Sequence, residues 1–466
     1  MASTEMQTPK ANSPGLLRQL GFFSATALVI SNMVGVGIFV STGFMAASLG
    51  SAGMVLACWA VGAVFAMAGA LSYSELGVNF PSSGGEYVYL TRAFGPEWGF
   101  MTGWVSFFAG FSAPIATAAL AFSGYLAHVL PWLAHENAMI KLGSGAFSVQ
   151  IGPEQFAASA LIAAFTALNC FGVGRTAKVQ NVLTSSKLII IIGFVILGFA
   201  SGNGNWAHFS QPAVRTDSSA LSTSFFVEML WVMVGYSGWN AATYIAEEVR
   251  RPERTLPAAI IVGTSIVAVL YLGLNTVFMY ATPLPVLAKP ELAPGALAAV
   301  NLFGPSIGGI FAVLMALCLV STVNAEVTVG PRVYYAMSKN RAFFSAAGRV
   351  HPRFHTPIVA ILSQGACAIL MTATPFPDLI TYIGMSLTLF TVLSVAALLV
   401  FRKRQPGWQR LRAVDFAFPL IPALYILVGT AMVVFGIKEH PWASLSAFAT
   451  IGAGAMVYRF GVRPAA

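Results

Sequence analysis

The 466-residue sequence predicts an all-α membrane protein of twelve transmembrane helices, and three observations carry that class. The chain is 57% hydrophobic and 9% charged. A soluble domain carries about 25% charged residues, so most of this surface is built to face something other than water. Spanning a hydrocarbon core takes about 20 apolar residues of helix. Twelve such stretches occur, centred near residues 33, 64, 112, 162, 194, 235, 268, 311, 364, 388, 424 and 449. With the N-terminus inside, 21 of the 25 Lys and Arg fall on the cytoplasmic side, and Lys141, Arg215, Lys289 and Lys438 occupy one outer loop each. That asymmetry is the positive-inside pattern. An even number of spans then puts both termini in the cytoplasm. The chain reads as a single multi-pass domain, residues 1–466, of the plasma or inner cell membrane.

Residues 1–18 read as a cytoplasmic tail. The first fifteen are polar and lead into a full span, which argues against a cleavable signal peptide. Residues 19–201 hold the first five spans, 219–404 the next five, and 413–460 the eleventh and twelfth. The first span contains LVISNMVGVGIFVSTG over residues 28–43, and the sixth contains LWVMVGYSGWNAATYIAEE over residues 230–248. Each has closely spaced glycines near its middle. Glycine costs about 1 kcal/mol relative to alanine inside a helix, and backbone freed in lipid must face protein, water or a ligand. Spans one and six are therefore predicted to be broken. Phe22-Phe23 precedes Gly35 and Gly37 much as Phe225-Phe226 precedes Gly235 and Gly238. The two spans lie five spans apart, so two such units would run in opposite orientations, as in the five-plus-five inverted repeats of secondary transporters. The last two spans lie outside that repeat.

Between these landmarks the sequence predicts smaller features. Pro114 marks a kink in the third span. The longest outer loop, residues 132–154, contains glycine and little charge. The longest cytoplasmic connection, residues 326–356, carries Arg332, Lys339, Arg341, Arg349 and Arg353 and is predicted to include an interfacial amphipathic helix. Cys58, Cys170, Cys318 and Cys367 all sit in apolar segments and read as packing residues, so neither a disulfide framework nor a disulfide-linked ancillary subunit is expected.

Four stretches form a set: Gly35-Val36-Gly37-Ile38-Phe39; Ser74-Glu75-Leu76-Gly77 followed by Pro81-Ser82-Ser83-Gly84-Gly85-Glu86-Tyr87; Gly238-Trp239-Asn240 running into Glu247-Glu248-Val249-Arg250-Arg251-Pro252-Glu253-Arg254-Thr255-Leu256-Pro257; and His351-Pro352 with Thr356-Pro357. In this order, and spread over most of the chain, they resemble the amino acid–polyamine–organocation transporters, most closely the L-amino-acid transporter branch. The resemblance implies inverted repeats of spans one to five and six to ten, with substrate held between the broken parts of spans one and six. A half-helix N-terminus offers free N–H groups and a positive dipole end to a carboxylate. That places carboxylate recognition on the amides of Val36, Gly37 and Ile38 after Gly35. The ammonium falls to carbonyls near Ile30, Ser31 and Met33 and to Val234, Gly235 and Ser237. Side chains of Ser31, Asn32 and Ser237 add hydrogen bonds, and Gly238 closes the second break. Two positions depart from the family pattern. Val36 stands where a small polar residue is common, and Val234 where an aromatic gate is common, which leaves gating to Tyr236 or Trp239.

Lys187 lies between Thr184-Ser185-Ser186 and Leu188-Ile189-Ile190-Ile191-Ile192. A lysine at the bilayer centre costs about 2.5–3.5 kcal/mol on insertion scales. It reads either as a residue snorkelling to the cytoplasmic rim or, on the resemblance, as the fifth-span lysine whose ammonium replaces a sodium ion between the first and eighth spans. Sodium independence would follow, and the lysine would offer a group for proton coupling. Glu75, Glu86, Glu247, Glu248 and Glu326 lie near cytoplasmic ends of spans, with Arg92, Arg250, Arg254 and Arg332 nearby in sequence. They read as a cytoplasmic gate or as ordinary solvated pairs. Glu228, near the outer start of span six, is a candidate gate or proton site.

Other classes are set aside. The basic clusters at residues 402–404 and 250–251 suit anionic lipid and topology, and no aromatic-basic module points to nucleic acid. Gly35-Val36-Gly37 lies in an apolar span rather than a βαβ unit. Walker, HExxH and GxSxG motifs are absent, Ser237 has no base in its motif, and the six histidines show no metal spacing. No enzyme, metal or cofactor is expected. The expected function is secondary active transport of L-amino acids, neutral ones because no charged side chain falls in the breaks, by alternating access, with exchange and proton symport both open. The expected partners are the amino acid and membrane lipid. A cationic amino acid or polyamine carrier would need a cage from Glu228, Trp239 and Tyr236. A channel or sensor would show no saturable exchange.

Overall fold

A computed structural model describes residues 16–142, 149–216, 218–289, 294–374, 376–439 and 441–462. Most of the expected N-terminal tail, and His440, lie outside the described residues. The described chain is mainly α-helical. In order the helices are α1 (Phe22–Met33), α2 (Val36–Leu49), α3 (Ala52–Asn79), α4 (Glu86–Phe94), α5 (Pro96–Val105), α6 (Ala113–Ala127), α7 (Pro153–Cys170), α8 (Val173–Ala200), α9 (Leu221–Tyr236) and α10 (Ala241–Tyr244). There follow α11 (Pro252–Ala281), α12 (Leu284–Leu287), α13 (Pro294–Phe303), α14 (Pro305–Val329), α15 (Pro331–Lys339), α16 (Ile358–Met371), α17 (Phe376–Arg404), α18 (Arg412–Asp415), α19 (Leu420–Glu439) and α20 (Pro441–Gly461).

Eight helical segments are long and apolar enough to cross a bilayer, and α9, α13 and α16 are shorter apolar helices. Their outward surfaces are greasy: Ile189 on α8, Val269 on α11 and Leu427 on α19 are each at least 70% exposed. Such side chains in rows belong against lipid tails, not water. Inside, apolar side chains form two clusters. The larger runs through α1, α2, α3, α9 and α11. The smaller joins Ala116 and Leu120 of α6, Ile162 of α7, Val323 and Val327 of α14 and Ile361 of α16.

Several local features differ from the sequence reading. The outer loop holds a two-stranded antiparallel hairpin, β1 (Ile140–Leu142) with β2 (Val149–Ile151), so the described chain is not wholly helical. In the third span the irregularity is a π-helical stretch, Ser106–Ser112, and Pro114 sits in the first turn of the helix that follows it. A π insertion leaves backbone out of the regular ladder and often marks a functional site. The expected interfacial helix after residue 326 is not separate: α15 continues from α14 through Gly330, and its residues Pro331 to Ser338 are buried.

Hydrogen bonds tie both ends of the broken spans. Gln19 and Leu20 donate to the Glu248 carbonyl at 2.9 Å each, and the Arg250 amide donates to Leu20 at 2.8 Å. At the other end Ala213 donates to the Gly50 carbonyl at 3.0 Å, and Arg215 Nε donates to the Ser48 carbonyl at 2.8 Å.

Candidate functional site

Two helix breaks lie against one another. The first is Val34 and Gly35, where a tight turn at Val34 and extended backbone at Gly35 separate α1 from α2. The second follows Tyr236, where Ser237 turns extended and Gly238 takes φ +100°, a region that side chains other than glycine's rarely enter. The approach is as close as backbone allows. A Cβ on Gly37 would stand 2.6 Å from Gly235 Cα, and one on Gly238 would stand 2.7 Å from Asn32 Cβ. Tyr271 of α11 clasps the pair from behind. Its hydroxyl hydrogen is shared between the Met33 carbonyl at 2.6 Å and the Gly235 carbonyl at 2.8 Å.

The first-turn amides of Val36, Gly37 and Ile38 have no acceptor within α2, and no side chain caps that end. Of the carbonyls named from the sequence, those of Ile30, Ser31, Met33, Val234 and Gly235 are engaged within the protein. Ile30 receives the Val34 amide at 2.8 Å, Met33 receives the Gly35 amide at 2.8 Å, and Val234 receives the Ser237 hydroxyl at 2.8 Å. An ammonium reaching them displaces or shares those bonds. The Ser31 hydroxyl points away from the breaks to Thr184 at 2.7 Å and Ser321 at 2.8 Å. Tyr236 also turns away: it donates to the Trp59 carbonyl at 3.2 Å, and its ring packs on Trp59 and Tyr271.

Beside the breaks lies a narrow cavity, about 60 Å³ of it reachable by the centre of a water molecule. Asn32, Val234, Ser237, Gly238 and Trp239 line it, as their place in the breaks suggests. Ile30, Ser31, Met33, Gly35, Val36, Gly37, Ile38, Gly235 and Tyr236 do not, and neither does Glu228, so the cationic cage of Glu228, Trp239 and Tyr236 is not assembled around it. Among the wall residues with no assigned place in the binding site are Ser106 and Phe111 from the π stretch, Tyr244, Glu326, Thr388 and Tyr425. The only sequence signal for the first two was Gly110 and Pro114 in one span. Tyr244 lies in the sixth-span stretch itself, shortly after Gly238, whereas Glu326, Thr388 and Tyr425 approach from distant helices and leave no local signal. Trp239 stands edge-on to Tyr73 at 4.7 Å between ring centroids, a contact that fixes its indole at the cavity wall.

Lys187 is 1% exposed and does not reach a rim. Its Nζ donates to the Val34 carbonyl at 2.6 Å and to Thr322 Oγ1 at 2.9 Å, with the Ser31 carbonyl at 3.5 Å. Thr322 in turn donates to Val34 at 2.8 Å. The ammonium thus ties α8 to the freed end of α1 and to α14.

A row of polar side chains leads away from this point. Gln180 donates to Thr184 at 3.1 Å, Asn324 to Gln180 at 2.6 Å, Asn169 to Asn324 at 3.1 Å and Thr328 to Asn169 at 2.8 Å. Arg332 then donates to the Thr328 carbonyl at 2.6 Å and grips Glu248 with two bonds of 2.8 and 3.0 Å. Both members of that ion pair are buried. The other carboxylates take partners that sequence proximity did not suggest. Glu75 meets Arg402 at 2.6 Å, and also accepts from Trp408 and from the Leu411 amide. Glu86 accepts from Tyr73 at 2.6 Å and Asn240 at 3.0 Å. Glu247 accepts from the Ser83 amide at 3.2 Å. Arg92 lays its guanidinium over the Phe80 ring at 4.7 Å. Among the described residues no group of three or more His, Cys, Asp or Glu could hold a metal ion.

Comparison with known proteins agrees with this architecture. Residues 20–456 match the family described as amino acid permease. The human large neutral amino acids transporter small subunit 2 is 29% identical over 474 residues, covering 98% of this chain and 83% of that one. The serine/threonine exchanger SteT of Bacillus subtilis (strain 168) is 29% identical over 417 residues, 88% of this chain and 89% of its own. The human b(0,+)-type amino acid transporter 1 is 28% identical over 469 residues, 98% of this chain and 90% of its own. With two broken helices meeting at a buried cavity and a match running almost from end to end, this chain belongs to the amino acid permease family of the amino acid–polyamine–organocation superfamily.

Proposed function

We propose that this protein carries neutral L-amino acids across the cell membrane by alternating access. The observation that carries the reading is the meeting of the two breaks: the free first-turn amides of α2 suit a carboxylate, and the carbonyls at the ends of α1 and α9 suit an ammonium. The relatives' printed names, a neutral amino acid transporter and a serine/threonine exchanger, support the substrate class.

In this reading the chain crosses the bilayer twelve times, as α1–α2, α3, α5–α6, α7, α8, α9–α10, α11, α14–α15, α16, α17, α19 and α20. Spans one to five and six to ten form the inverted repeat. Both termini are cytoplasmic, from the distribution of Lys and Arg. Ile30, Ser31, Met33, Val234, Gly235 and Ser237 offer main-chain acceptors, Val36, Gly37 and Ile38 offer donors, and Asn32 and Trp239 shape the wall. Lys187 holds the first break in place with no sodium ion. No catalytic chemistry is assigned, and the four helical cysteines offer no loop thiol to an ancillary subunit.

Purified protein in liposomes, loaded with one amino acid and challenged with labelled candidates, tests this. Saturable counterflow of alanine, serine or leucine, competed by neutral amino acids and not by arginine, is expected. No counterflow of any amino acid or amine would overturn it.

A further inference from the structure

Glu326 is the one carboxylate on the wall of the central cavity among the described residues. Its side chain is 8% exposed, and its Oε2 has no hydrogen-bond partner. The residue's backbone carbonyl is satisfied by Gln364 at 3.3 Å, so the carboxyl alone is left over. Three other buried carboxylates are met: Glu86 by Tyr73 and Asn240, Glu75 by Arg402, Glu248 by Arg332. A buried charge without donors is costly. Lys187 acts on this carboxyl through space, but among the described residues no Lys, Arg or His forms a direct ion pair with it. Lys187 on α8 is committed to Val34 and Thr322. Arg332 on α15 is committed to Glu248 and Thr328. Tyr244 on α10 shares the cavity wall and receives Asn240. The other helices packed on α14 bring no acidic or basic side chain except Glu154, which pairs with His135 at the far end of α7. A direct partner for the Glu326 carboxyl therefore arrives through the cavity. A metal cation would need a shell of oxygen ligands, and no second carboxylate stands there, whereas a proton needs only the carboxyl itself.

We infer that Glu326 is the group on which this carrier takes up a proton together with its amino acid, so that transport is proton-coupled through the cavity wall. The inference rests on the transport reading above and adds the coupling ion and its site. With the carboxyl protonated, the cavity that closes around a neutral amino acid holds no net charge. With it ionised, closure strands that charge.

The test uses the full-length protein in liposomes containing a trapped pH dye. In the wild type, adding a transported neutral amino acid outside should drive protons inward, and an acid-outside gradient should accelerate uptake while a sodium gradient should not. Glu326→Gln should lose the acceleration, read as the ratio of rates with and without the gradient rather than as the rate itself. Glu326→Asp should keep the acceleration with its pH midpoint moved, which also decides the matter if the glutamine variant does not fold. Wild-type counterflow without substrate-driven proton entry overturns the inference and leaves the transport reading standing. An unmoved midpoint in Glu326→Asp, or full gradient response in Glu326→Gln, overturns it too. So does arginine uptake that only Glu326→Gln loses, because the carboxylate would then be pairing with a basic side chain. Absence of any counterflow is the failure of the transport reading itself.

Discussion

Replacing Tyr271 by Phe isolates the clasp between the two breaks. The ring stays, with its edge contact to Trp59 at 5.2 Å and its tilted contact to Tyr236 at 5.0 Å between centroids. Only the hydroxyl goes, and with it the bonds to the carbonyls of Met33 at 2.6 Å and Gly235 at 2.8 Å. Met33 keeps the Gly35 amide at 2.8 Å. Gly235, near the end of α9, is left as an orphan carbonyl. Stranding one buried acceptor costs about 1–3 kcal/mol, which is about 5- to 150-fold in an equilibrium constant. If the clasped arrangement is the one that receives substrate, apparent affinity falls by up to that factor, because the competent fraction shrinks. The assay is counterflow at graded external substrate, together with thermal unfolding in detergent. A Tyr271→Phe protein with wild-type apparent affinity and wild-type unfolding temperature would refute the claim that this hydroxyl organises the breaks.

Further outcomes follow from the same geometry. Lys187→Met removes charge-assisted bonds worth about 1.5–3 kcal/mol, so uptake should fall about tenfold or more while the protein stays monodisperse on size exclusion; unchanged kinetics would contradict the role given to the ammonium. Gly238→Ala should abolish most transport, because it forces a side chain into φ +100° and against Asn32. Gly53→Ala, whose Cβ would meet only Ser51 Oγ at 3.8 Å, is the control and should be silent in the same flux assay. Arg332→Ala leaves Glu248 buried and alone, a loss of about 3–5 kcal/mol, seen as a lower unfolding temperature. The double variant Arg332→Leu with Glu248→Leu should recover part of it, and no recovery would mean the pair is not what holds that end.

The breaks were legible because glycine in an apolar span is a local signal, and Lys187 because an ammonium in a run of isoleucine is conspicuous. Which way each side chain faces was not. Ser31 and Tyr236 sit in the break sequences, yet point to Thr184 and Trp59, since a helix one turn from its end still sends neighbouring side chains to different faces. Tyr271 could not be found from sequence, because its partners lie 238 and 36 positions away. The carboxylate partners failed for the same reason. Glu75 was matched with arginines near it in sequence, whereas the packing of α3 beside α17 brings Arg402 from 327 positions away. The Glu326 carboxyl was read as part of a gate at the span ends. The continuation of α14 into α15 puts it further inside, on the cavity wall.

The polar row from Ser31 through Gln180, Asn324 and Thr328 to Arg332 gives the molecule a preferred line along which to part. A hydroxyl or amide pulled from its neighbour is met at once by solvent, and each such exchange is worth only about 0.5–1.5 kcal/mol. The facing contact of α2 and α9, where Phe44 stacks on Trp231 at 5.3 Å, has no equivalent replacement in water. Rocking of the broken helices should therefore unzip along the first seam and pivot on the second, as a door swings on its hinge side and wets along its latch.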